Sequence, residues 1–250
     1  MKRIGQSLLA LVLVLSAIWA VPSATAQRQK PGESQHHGGQ HAREARPHGD
    51  PVVRQGLITA TAAVTAQKPR QVRAQLEAGK SIEQIALTAG KSAADVLARF
   101  DAGVDRALRR AVDSGRLPQS VANARAAWFK QAARLQIDQP GLQPAFPGLH
   151  ELHVMMISAA VRVSGMRRVD IRAQLESCKT LSAIVATRGK SGADVARDAL
   201  AQADRTLMQW VSEGKLTTAQ RDEWHAALQA AMSNMVSTSG LHVAGKECAT

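Results

Sequence analysis

The chain matches itself. Arg73-Ala74-Gln75-Leu76-Glu77 recurs as Arg172-Ala173-Gln174-Leu175-Glu176, 99 residues later. At the same offset Gly90-Lys91-Ser92 returns as Gly189-Lys190-Ser191, Asp95-Val96 as Asp194-Val195, and Asp105-Arg106 as Asp204-Arg205. Gly115-Arg116-Leu117 returns as Gly214-Lys215-Leu216, and no gap is needed from about residue 57 to 138. A repeat of this length means one supersecondary unit made twice, so any fold has to suit both copies.

The unit reads as a series of helices. Pro69 suits the first turn of a helix, where its missing N–H costs nothing, and Val72 and Leu76 give that helix an apolar side. Gly79 suits a left-handed C-terminal cap. Ser81-Ile82-Glu83-Gln84 fits a capping box opening a short second helix, with Ile82, Ile85 and Ala86 as its stripe and Gly90 as its stop. Ser92 caps a longer third helix. There Val96, Phe100, Val104, Leu108 and Val112 recur every four residues, as one face of an α-helix requires. Gly115 ends it, and Pro118 starts a fourth helix carrying Val121, Ala124, Trp128 and Leu135. The apolar stretch Leu57 to Ala66 predicts a leading helix.

The second copy follows the same scheme, with Thr180 for Ser81, Ser191 for Ser92 and Gly214 for Gly115. Thr217-Thr218-Ala219-Gln220 fits a further capping box. Ile184, Val195, Leu207, Val211, Trp224 and Leu228 are its core positions. Trp128, Trp210 and Trp224 stand at helical spacing and read as core; His225 reads as core edge. Between the copies, Pro140, Pro144 and Pro147 forbid a continuous helix. The expected fold is therefore all-α: two tandem homologous multi-helix units, each a small helical bundle. The pattern Leu-x-x-Gly-Lys-Ser-Ile-x-x-Ile-Ala, then a Gly and a Ser cap, then Gly-Arg-Leu, covers Leu76 to about Ala126 and Leu175 to about Ala226. It resembles a repeat found in uncharacterised secreted helical proteins of bacteria. That resemblance implies a fold and an exported location; its positions are caps and core, and it carries no catalytic residue.

Composition divides the remainder. Lys2 and Arg3, the apolar run Leu8 to Val21, and Ala24-Thr25-Ala26 follow the order of a cleavable secretory signal, predicting a mature start at Gln27. The run is about 14 residues, shorter than the ~20 a spanning helix needs. No later segment is apolar enough to span a membrane. From Gln27 to Gln55 the chain is rich in Gly, Pro, Gln, His and Arg, and too poor in apolar residues to offset chain entropy. The expected organisation is a signal peptide (1–26), a disordered tether (27–55), unit one (56–138), a Pro-rich connector (139–150), unit two (151–237) and a tail (238–250).

Four features bear on function. The net charge is +12, so an exported product is drawn to anionic polymers such as those of the cell envelope. Lys80, Lys91 and Arg116 recur as Lys179, Lys190 and Lys215, positive at matching loop positions, and are the candidate contacts for an anionic partner. Solubility and compensation of helix C-termini account for the same charges. Second, the short helix from Ile82 and the long one after it resemble a helix-turn-helix, with Lys91, Arg99, Arg106, Arg109 and Arg110 on the would-be recognition helix. Asp95 and Asp105, four residues before Arg99 and Arg109, predict ordinary surface ion pairs instead. The basic face is also not reproduced: Met208 stands for Arg109, and the arginine nearest Arg99's counterpart is displaced to Arg197. Both points argue against sequence-specific DNA recognition. Third, His36, His37 and His41 offer imidazoles to a transition metal, at a spacing matching no structural zinc motif; plain tether is the alternative. His150 and His153 share a helical face but lack a third ligand. An extracytoplasmic metal-binding or stress role is the second functional reading. Fourth, Cys178 and Cys248 are the only cysteines, and an oxidising compartment favours their pairing.

No nucleophile elbow, zincin helix, phosphate-binding Gly-rich loop or Cys–His pair is present. No cofactor is implied. The sequence predicts a non-catalytic binding or structural protein.

Overall fold

Helix ends in this chain are written in side chains that cap them. In the computed structural model, which describes residues 51–238, Ser81, Ser92, Thr180, Ser191 and Thr217 each accept a hydrogen bond from the backbone N–H three residues on. At Ser81, Ser92, Ser191 and Thr217 the third residue returns the bond and closes a capping box. Each box satisfies two of the donors a helix start leaves unpaired.

The resulting elements are α1 (Pro51–Val64), α2 (Pro69–Glu77), α3 (Ile82–Thr88), α4 (Ala93–Asp113) and α5 (Gln119–Gln136). A 3-10 turn (Pro140–Leu142) follows, then α6 (Leu149–Ser164), α7 (Arg168–Glu176), α8 (Leu181–Ala186), α9 (Gly192–Ser212) and α10 (Thr218–Ser237). Among the described residues every regular element is helical and there is no strand. The protein is all-α. The two sets of helices keep the sequence offset: α2 and α7 are 9 residues each, and α4 and α9 are 21 residues each. Their first residues, Pro69 and Arg168, and Ala93 and Gly192, stand 99 positions apart.

Two boundaries move. Composition assigned 27–55 to the tether, but α1 begins at Pro51. Proline is accepted in a first helical turn, and Val53 and Leu57, both buried, give those residues a core to face. The connector was drawn to residue 150, but α6 opens at Leu149. α5 begins one residue after Pro118, which serves as its N-cap.

In the first set α4 lies along α1 and α5; in the second, α9 lies along α6 and α10. The every-fourth stripe of α4 delivers Val96, Phe100 and Val104 to the interior, and α9 delivers Val195, Ala199, Ala203 and Leu207. The two sets share one hydrophobic core. α5 meets α10, and between them an aromatic ladder crosses the molecule. Trp128 on α5 lies 5.1 Å from Phe146, Phe146 lies 4.9 Å from Trp224 on α10, and Trp224 lies 6.0 Å from Trp210 on α9. The last two contacts are edge-to-face, a geometry favoured by ring quadrupoles. Phe146 comes from the connector and is fully buried. Its carbonyl accepts a bond from the buried Gln136 side chain at 3.4 Å. The Pro-rich connector is thus part of the core, through Leu142 and Phe146.

Candidate functional site

The six loop cations share one backbone position. In each case a residue of positive φ follows a helix and the cation comes next: Gly79, Gly90 and Gly115 in the first set, Cys178, Gly189 and Gly214 in the second. Every cation donates its backbone N–H to the carbonyl five residues earlier: Lys80 to Gln75, Lys91 to Ala86, Arg116 to Ala111, Lys179 to Gln174, Lys190 to Val185 and Lys215 to Trp210. This is the long bond of a Schellman cap. The six therefore stand at helix C-termini, where a positive charge opposes the helix dipole by about 0.3–1 kcal/mol.

The structure does not gather them into one cluster of mutual contacts; it deals them out to six caps. Lys91, Arg116, Lys179, Lys190 and Lys215 are exposed and Lys80 is half-buried. Lys80 and Lys179 reach back to the side-chain oxygens of Gln75 and Gln174, at 3.5 and 3.2 Å. The same neutral partner in both sets fixes each lysine and leaves its charge uncancelled. Arg116 donates to Ser114 Oγ at 2.8 Å. Lys215 differs, lying 2.6 Å from Glu213, whose carboxyl is held below its usual range first by the hydrogen bond from Lys215.

The face of α4 departs from expectation. The anticipated pairs Asp95–Arg99 and Asp105–Arg109 do not form. Asp95 is engaged by its own helix start, accepting from the N–H and the Oγ of Ser92 at 2.9 and 2.8 Å. That lowers its pKa, with the backbone bond the largest cause. Asp105 instead meets Lys130 of α5 at 2.7 Å, and Asp101 meets Arg134 at 3.0 Å. Asp95, Asp101 and Asp105 are engaged by the helix's own N-terminus or by α5, and Asp113 is exposed beside Arg109 and Arg110. Arg99, Arg106, Arg109 and Arg110 are exposed with no carboxylate at salt-bridge distance among the described residues. The Ser-x-x-Asp spacing at Ser92 was a legible sign that Asp95 was already taken. Nothing local showed that Asp105 would be claimed by a residue 25 positions away. A shallow recess of about 480 Å³ lies along this face, lined by Ala102, Asp105, Arg106, Arg109, Arg110 and Asp113.

One polar cluster was not legible in the sequence. Asp204 on α9 accepts from Arg221 at 2.7 Å and lies 3.0 Å from His225 Nδ1, both on α10. Burial works against the Asp204 charge, but the His225 hydrogen bond and the Arg221 charge outweigh it and lower the pKa. Arg221 also holds Asp222 at 2.7 Å. The cluster is an ionic tie between two helices. In the first set the same aspartate position, Asp105, is tied by Lys130.

The other candidates divide. His36, His37, His41 and Cys248 lie outside the described residues. Among the described residues no group of three or more His, Cys, Asp or Glu is arranged to hold a metal ion. His150 is exposed and His153 half-buried on α6. Trp128 and Trp224 are buried, and Trp210 is partly buried against the core. Cys178 keeps the left-handed backbone of its glycine counterpart, φ +63° against +86° at Gly79. No helix among the described residues is long and apolar enough to cross a membrane. No protein family, curated protein or solved structure matches the chain. The likeness drawn from the Leu-x-x-Gly-Lys-Ser pattern rests on that motif alone.

Proposed function

We propose that this is an exported, non-catalytic binding protein of the cell envelope or the secreted fraction, built from two copies of one helical unit and attracted to anionic polymers. The observation that carries the reading is the fate of its loop cations. Among the described residues Lys215 is the one of the six loop cations ion-paired to a carboxylate. Lys91 lies near enough to Asp95 for its charge to lower that carboxyl's pKa, and Lys80 and Lys179 are held by glutamines in the same way in both sets. Fixed but unneutralised charge favours polyanion contact over ion pairing within the fold. Structural occupations of polar groups support a binding rather than a catalytic role: capping boxes at helix starts and ion pairs between α4 and α5, α6 and α9, and α9 and α10.

Duplication is supported by the gap-free offset and by the equal lengths of α2 and α7 and of α4 and α9. Export is supported by the Lys2–Ala26 pattern, with Gln27 as the mature start. It brings with it a bridge between Cys178 and Cys248, closing a loop of roughly 70 residues and contributing about 4 kcal/mol in the chain-entropy account. Binding of the mature chain to a polyanion over a salt series tests the central claim. Affinity should fall linearly with salt on logarithmic axes, and a salt-independent or undetectable interaction refutes it.

A further inference from the structure

The loop cations stand at six helix C-terminal caps; the arginines of α4 have no such place. Arg99, Arg106 and Arg110 are spaced 7 and 4 residues apart. At about 100° per residue they fall within about 40° of arc and form one straight stripe, about 16 Å long at 1.5 Å rise per residue. Arg109 flanks it across the shallow recess. Lys91 and Arg116 stand just beyond the two ends of the same helix. Asp101 and Asp105 are paired from α5, and the four arginines outnumber the remaining carboxylates of the helix, Asp95 and Asp113, so the charge is net positive. Asp113 bounds the stripe at its C-terminal end. α9, the counterpart helix, carries Asp198, Arg205 and Gln209 at the three stripe positions, and Asp198 is tied to Arg162. The stripe therefore belongs to one copy only. It contributes nothing to the packing that both copies share.

We propose that this face of α4 is the binding surface for a linear phosphate polymer recognised by its backbone charge alone. The inference rests on the anionic-polymer reading above and assigns it a site. Guanidinium groups match phosphate oxygens with two parallel N–H donors, and a row of them suits a charge that repeats along a chain. The recess beside Arg106, Arg109 and Arg110 is shallow and open to solvent rather than enclosed. The recess lining offers bases no aromatic side chain to stack on, and Trp128 and Trp224 are buried in the core. This favours a polymer without bases over a single-stranded nucleic acid, which aromatic platforms usually hold.

The test uses the mature full-length protein and inorganic polyphosphate as the probe, with affinities measured from about 50 to 200 mM salt. Three proteins are compared: wild type, Arg99→Gln/Arg106→Gln/Arg110→Gln, and a charge-matched control, Arg70→Gln/Arg172→Gln/Arg205→Gln, at exposed positions away from the stripe and from the loop cations. Both triples remove exposed side chains, and unchanged helicity and thermal midpoint confirm the fold. The stripe triple should lose about 2 units of logarithmic salt slope, at about 0.7 per contact, and bind at least 30-fold more weakly at low salt. The control should stay within about threefold of wild type. Equal losses in the two triples would overturn the site while leaving the general anionic reading standing. No binding by wild type would overturn both. Tighter binding of a charge-matched single-stranded DNA than of polyphosphate would overturn recognition by charge alone.

Discussion

The two sets of helices solve one packing problem in opposite ways. In the first, α1 carries Gly56 where it meets α4, and α4 fills the gap with Phe100. A Cβ built on Gly56 would lie 2.5 Å from the Phe100 ring. In the second, the corresponding positions are Met155 on α6 and Ala199 on α9. The large side chain has changed helices while the helix pair has stayed. A close-packed interior fixes summed volume across a contact more tightly than the identity of either side. The sets have also diverged in charge: α4 keeps an unpaired arginine row, whereas α9 ties its Asp198 to α6 and its Asp204 to α10.

The swap is the most direct place to break the comparison. Phe100→Ala should cost about 3–5 kcal/mol by leaving a cavity. Gly56→Met should cost about 1–3 kcal/mol through overpacking. The double variant Gly56→Met/Phe100→Ala recreates the second set's pairing in the first. Its stability in urea titration should exceed the additive expectation by more than 1 kcal/mol; strict additivity would mean that the two positions do not compensate.

Cys178 sharpens the same comparison, because it holds a backbone conformation that glycine adopts freely in the first set. In reducing buffer Cys178→Gly should raise stability by about 1 kcal/mol, by removing a side chain from the left-handed region. In oxidised protein the same change should lower it by about 3 kcal/mol, the loss of a bridge to Cys248 exceeding the relief. Identical effects in both buffers, measured by thermal unfolding, would refute the pairing.

Next is the first residue of the long helix. Gly192 packs where a Cβ would meet Ser182 Oγ at 2.7 Å and Val236 Cβ at 3.2 Å, while its counterpart is already Ala93. Gly192→Ala should therefore destabilise by about 1–2 kcal/mol, although alanine is the better helix former. Added stability would show that α10 can retreat at no cost.

The smallest effects fall on features the sets share. Ser92→Ala and Ser191→Ala should each cost about 1 kcal/mol at neutral pH, and by similar amounts. The paired acids add a pH dependence. Asp95 and Asp194 both titrate below their usual value of 3.8, chiefly through hydrogen bonds from Ser92 and Ser191. A depressed folded-state pKa stabilises above the unfolded value, and that contribution disappears as pH falls through the folded one. The stability gap between wild type and Asp95→Asn should accordingly narrow below about pH 4. A constant gap would show that the ionised form does not matter.

What could be read in advance was local. The repeat offset, the Ser and Thr caps, the glycines at helix ends and the four-residue stripe of α4 are written in adjacent residues, because capping and helical periodicity act over one to four positions. They were enough for the all-helical fold and for the six loop cations. The place of those cations at helix C-termini was legible too, because the glycine before most of them marks a left-handed cap. The sequence could not show that Asp105 would turn from Arg109 to Lys130, that Asp204 would gather Arg221 and His225, or that Phe146, in a proline-rich connector, would close the ladder from Trp128 to Trp224. Each of these depends on which helix lies against which. That is decided by the volume and shape of two faces brought together in space, and neither face alone records its partner.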